Sequence, residues 1–106
     1  MVIGKIGGLA YKLIFARDFS LALEAADQAI SLAPDLIWVH ANRAHALIFL
    51  GRVDEARAIY IQYRGEKMPD GKLWESSVLE DFAELRNAGL THPLMDEIER
   101  LFSSHG

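Results

Sequence analysis

The sequence predicts an all-α fold, an α-solenoid of three helix-turn-helix repeats with about six helices. Three observations predict it. Apolar residues recur at a spacing near 3.6, as in Leu21, Ala25, Ala29 and Leu32, and strand-like alternation is absent over any useful length. Proline and glycine punctuate the chain at Pro34, Gly51, 68-MPDG-71, Gly89 and Pro93. Residues of like kind also return 34 positions later: Ala10 and Ala44, Leu13 and Leu47, Ile14 and Ile48, Phe15 and Phe49, Ala22 and Ala56. A period of that length, with two helices to the unit, marks a repeat architecture. One unit cannot bury both of its faces, and stacked neighbours supply the rest of the core.

Taken in order, the spacing predicts helices over 5–16, 20–32, 36–49, 53–65, 72–88 and 93–103. Gly4, Gly7 and Gly8 weaken any helix that begins near the N-terminus. Ser20 is placed to cap the second helix and Asp35 the third. Thr91 or His92 can cap the last, with Pro93 in its first turn. Gly51 and Gly89 stand where helices end and can take positive φ. Ala22 and Ala56 in the second helices, and Ala10 and Ala44 in the first, are small where antiparallel backbones must approach.

The same residues carry a family resemblance. The chain resembles the tetratricopeptide repeat family through Ala10 and Ala44, Ala22 and Ala56, Tyr60, Pro34, and the inter-helix turn 51-GRVDEA-56 with its counterpart 17-RDFSLA-22. The match is strong over 9–63 and moderate over 69–102, and it implies a single domain over 1–106 with repeats at about 3–34, 37–68 and 71–104. The third repeat departs from the pattern. Asp81 stands where Leu13 and Leu47 stood, and Gly89 comes four residues late, about one helical turn. A first helix lengthened by one turn in that repeat accounts for the late glycine.

Within 38-WVHANRAH-45 a helix separates the side chains around its axis. His40, Ala44, Leu47 and Ile48 follow the packing stripe, so His40 reads as a half-buried ring between units. Trp38, Asn42, His45 and Phe49 form a second stripe. The resemblance implies that first helices line a concave groove, which makes this second stripe its wall. Tyr11, Trp38, Asn42, His45 and Lys72 are the expected groove contacts. Family members that clamp a C-terminal carboxylate use lysine, asparagine and arginine along the groove. Here only Asn42 and Lys72 coincide with that set, and Gly7, Tyr11 and Ser76 do not. Arg43 replaces the family's usual apolar residue and is expected to snorkel or to face a neighbour.

Other chemistries find little support. Formal net charge is −4 and the bases are scattered, so no nucleic-acid footprint or attraction to anionic lipid is expected. With no cysteine, disulfides and thiolate metal sites are excluded. His40 and His45 lie five apart, about 140° around a helix, and are poorly placed to share a metal. Asp96 and Glu97 suit the dipole of the last helix, and the acids of 81-DFAE-84 read as a solvated face. No phosphate-binding loop or nucleophile constellation is present, and no stretch approaches the length of a membrane span. The expectation is a non-enzymatic, cofactor-free, cytoplasmic scaffold that binds a protein or peptide in its groove. The alternative is a structural or oligomerising segment of a longer protein. The apolar first helix, 9-LAYKLIFA-16, would then be covered by adjacent chain or by a second copy in a homodimer, and 99-ERLFSSHG-106 makes a polar stop.

Overall fold

A computed structural model describes residues 2–103, with side chains from Gly8 onward. It contains six helices: α1 (Val2–Phe15), α2 (Phe19–Leu32), α3 (Ile37–Phe49), α4 (Val53–Gln62), α5 (Trp74–Asn87) and α6 (Pro93–Ser103). The all-α expectation holds. The end of the third repeat at residue 104, and the last part of the polar stop, lie outside the described residues.

Successive helices pack as hairpins. α1 packs on α2, α2 on α3, α3 on α4, and α5 on α6, while α1 also meets α3 and α4 meets α6. The small residues allow this close approach. Ala22, Ala26 and Ala29 of α2, Ala44 of α3 and Ala56 of α4 are all fully buried. Larger side chains fill the space between pairs, with Ile14, Leu47, Tyr60, Trp74, Phe82, Leu85 and Ile98 in one continuous core. Phe19 stacks on Phe49 at 5.1 Å between the first and second pairs.

Three helices end in the same way. After α1, Arg17 N–H bonds to Ile14 C=O and Asp18 N–H to Leu13 C=O. After α3, Gly51 and Arg52 bond to Ile48 and Leu47, and after α5, Gly89 and Leu90 bond to Arg86 and Leu85. The closure needs a left-handed residue. Gly51 and Gly89 supply it at φ 82, as expected, and Arg17 supplies it at φ 65 despite its side chain.

Several local expectations are corrected. Asp18, not Ser20, caps α2, accepting from Leu21 N–H at 3.4 Å. The third helix has Leu36 at its cap and no side-chain cap bond, so Asp35 does not serve. His92 does cap the last helix, its Nδ1 accepting from Leu94 N–H at 3.0 Å. The first helix of the third repeat is not longer by a turn. α5 has 14 residues, against 14 for α1 and 13 for α3. The displacement arises mostly before it. α4 has only 10 residues, and the connector over 63–73 folds into a small turn. Met68 N–H bonds to Lys72 C=O at 2.7 Å, Gly71 N–H to Met68 C=O at 2.9 Å, and Trp74 N–H to Glu66 C=O at 2.8 Å. The turn expected at 68-MPDG-71 is thus present; α5 starts three residues later than the offset from α3 predicts, and its one extra residue brings Gly89 to four.

Candidate functional site

A groove of about 440 Å³ opens between α1, α3, the middle of the 63–73 turn and α5. Its lining is Gly8 and Tyr11 from α1, Trp38, Ala41 and Asn42 from α3, Met68, Pro69 and Asp70 from the turn, and Ser77 and Asp81 from α5. Three first helices thus contribute one wall each. Trp38 and Asn42 reach it together because they stand four apart on α3, on one face of the helix.

Three of the five expected contacts, Tyr11, Trp38 and Asn42, line the groove. His45 does not: it is fully buried beneath it. Its Nδ1 is 2.6 Å from the Tyr60 hydroxyl and its Nε2 is 2.9 Å from Asp81 Oδ2. Burial, and then the nearby Asp81 charge, hold the Tyr60 hydroxyl well above the ordinary tyrosine range, so it keeps its proton. The hydroxyl can therefore donate a hydrogen bond to Nδ1, while Nε2 faces the Asp81 carboxylate. Lys72 also stands outside the lining. Its Nζ is 2.8 Å from Glu80 in an exposed ion pair, which raises the affinity of the amine for its proton.

The acids of 81-DFAE-84 are more than a solvated face. The Tyr11 hydroxyl lies 2.5 Å from Glu84 Oε1 and 3.3 Å from Asp81 Oδ1. It has one hydrogen to donate, and the shorter contact is with Glu84. Burial, the Glu84 hydrogen bond and the Asp81 charge push the tyrosine far up in pKa. Arg17 makes a second link across the same gap, donating to Ala88 C=O at 3.1 Å. The first repeat is therefore tied directly to the third, over the top of the second. Asp81 is the residue that breaks the repeat pattern, and the break supplies the acceptor for His45.

The remaining candidates are structural. His40 rests on Tyr63 with centroids 5.0 Å apart, and its Nε2 lies 3.1 Å from Pro34 C=O. Tyr63 also meets Trp74 at 5.1 Å, so His40, Tyr63 and Trp74 form a ladder of rings between the second and third repeats, in keeping with a packing role for His40. Arg43 faces a neighbour, pairing with Asp27 of α2 at 2.7 Å. Glu97 and Asp96 do more than favour a helix dipole: Arg57 of α4 holds Glu97 at 2.6 Å, and Arg86 of α5 holds Asp96 at 2.8 Å and also bonds Glu99. Among the described residues no group of three or more His, Asp or Glu side chains could hold a metal ion.

Inspection of 38-WVHANRAH-45 alone could not find Met68, Pro69, Asp70 and Asp81. The signals for them were the 68-MPDG-71 turn and the misfit of Asp81 in the 34-residue register. A family model described as tetratricopeptide repeat matches residues 13–76 of the chain. No curated protein and no solved structure gives a significant match.

Proposed function

The chain belongs to the tetratricopeptide repeat family, and from that premise we propose that it is a protein–protein interaction scaffold holding a peptide or helical segment in the groove between α1, α3 and α5. The observation that carries this reading is the partly exposed indole of Trp38, which lines an open cleft together with Tyr11 and Met68. A volume of about 440 Å³ accommodates a few side chains of a partner. Aromatic side chains in such a recess are the usual anchors of a protein contact. Trp38, Tyr11 and Asn42 are the direct contacts in this reading. His45 acts from beneath by holding Asp81, and Lys72 stands at the edge, next to the turn. A cytoplasmic location belongs to the same reading. No helix among the described residues is long and apolar enough to cross a membrane.

Selection of short peptides from a random library on the immobilised chain, followed by affinity measurement on single variants, tests it. Trp38→Ala should weaken the selected peptides about tenfold or more, with Tyr11→Phe and Asn42→Ala weaker in effect. Unchanged affinity in all three would place binding elsewhere.

One observation favours a second reading, a structural or oligomerising segment. Leu9, Leu21 and Leu32 of the first helix pair are about half exposed. Sedimentation equilibrium distinguishes it: self-association abolished by Leu9→Gln and Leu21→Gln would support it, and a monomer at all concentrations would count against a built-in dimer.

A further inference from the structure

We infer that the groove selects a cationic side chain, a lysine or arginine carried by a partner segment with apolar neighbours. The inference rests on the groove reading above and specifies the chemistry of its occupant.

Charge complementarity carries it. Among the described residues, the acidic and basic side chains of the groove lining are two carboxylates, Asp70 on the turn and Asp81 on α5. Glu84 lies beside Asp81, and one tyrosine hydroxyl reaches both. The nearby base, Lys72, points its charge into Glu80. Asp81 is held in place from below by His45, whose ring is fixed in turn by Tyr60. An acid fixed in this way needs no reorganisation to meet an incoming cation, which is the condition for a useful charge contact.

The rest of the lining suits the same occupant. Trp38 and Tyr11 line the groove, and an ammonium or guanidinium within about 6 Å over the face of such a ring is attracted by its quadrupole. Pro69 is exposed beside the largely buried Ala41 and Met68, an apolar edge for the methylene stem of a long basic side chain. A partner ending in a free carboxylate meets the opposite situation. It would bring its charge toward Asp70 and Asp81, with Lys72 already engaged. Asn42 and Lys72, the two residues that coincide with a carboxylate clamp, therefore do not make one.

The test uses three fluorescent, end-blocked peptides built on one Ala–Leu frame, carrying arginine, glutamine or glutamate at the same positions. Binding is read by anisotropy on the full chain and on Trp38→Ala and Asp70→Asn. The Asn side chain keeps an oxygen for the Lys72 N–H that Asp70 now caps at 3.0 Å, so that variant should fold normally. The arginine peptide should bind about tenfold or more tightly than the other two. It should lose about threefold on Asp70→Asn and about tenfold on Trp38→Ala, and it should weaken as salt is raised. Equal or better binding by the glutamate peptide overturns the cation inference; if that binding still falls on Trp38→Ala, the groove reading survives. An arginine preference that neither variant alters overturns it as well, because the site would then be general surface charge. Binding by none of the three overturns it too, and library-selected peptides that still depend on Trp38 would leave the groove reading standing alone.

Discussion

Successive helix pairs and the first and third pairs are joined by different means. Between neighbours the joins are chiefly apolar: alanines at 22, 26, 29 and 44, the Phe19–Phe49 stack, and Trp74 under Tyr63, with Arg43–Asp27, Arg57–Glu97 and His45–Asp81 added to them. Across the groove the join is polar. Tyr11 meets Glu84 and Asp81, and Arg17 meets Ala88. Apolar burial scales with area and has little direction. A hydrogen bond is worth only about 1 kcal/mol net, but it is strongly directional. The first kind of join makes the stack stable. The second sets how far α1 stands from α5, and therefore the width of the groove.

The largest test of this division is alkaline pH, because it strikes both regions. Tyr60 lies in the core and Tyr11 on the bridge, and both have folded-state pKa values above the ordinary value of about 10. A group with a raised folded pKa contributes stability that is fully present below its unfolded pKa and is lost as pH rises. Thermal stability should therefore fall as pH climbs past about 10. Tyr60→Phe should flatten that fall, and an equal slope in that variant would remove Tyr60 from the account.

Next in size is Trp74→Ala. The indole is fully buried and donates to Tyr60 C=O at 2.9 Å, so its loss should cost about 3–5 kcal/mol in urea unfolding. A cost below about 1 kcal/mol would mean that the second and third repeats unfold separately. His45→Leu keeps much of the volume but leaves the Tyr60 hydroxyl without a partner and frees Asp81. It should cost about 1–3 kcal/mol. The smallest effect is expected at Arg17→Gly. Glycine relieves a left-handed backbone strain of about 1 kcal/mol, while the lost bond to Ala88 C=O costs a similar amount. The net change should lie within about 0.5 kcal/mol, and a large destabilisation would assign the Arg17 bridge far more weight than one exposed hydrogen bond carries.

The elements of the fold were legible because they are local. Helical spacing, Pro34, Gly51 and Gly89 report what happens within a few residues, and the 34-residue offset carries that information from one repeat to the next. The offset even marks Arg17 as the counterpart of Gly51, although arginine hides the left-handed backbone there. What was not legible is long-range. Tyr11 and Glu84 are 73 residues apart, and no periodicity announces that they meet. His45 and Trp38 lie seven apart on one helix, yet one is buried and the other partly exposed. Side-chain stripes fix an angle around the axis, whereas burial depends on which neighbour covers that turn. The late position of Gly89 was visible, but its cause was not. A connector over 63–73, longer than its counterpart over 33–36, takes up most of the offset, and a longer helix would have produced the same glycine spacing.

The Tyr11 bridge is expected to hold α1 against α5 and so to set the groove. The chain has no cysteine, so spin labels can be placed cleanly at Lys12→Cys on α1 and Ala83→Cys on α5, both exposed positions. The pulsed-dipolar distance between them should be a single narrow distribution in the otherwise unaltered protein. It should lengthen and broaden in Tyr11→Phe while helical content stays the same. An identical distribution in the two proteins would show that the apolar joins alone fix the groove, and would contradict the account.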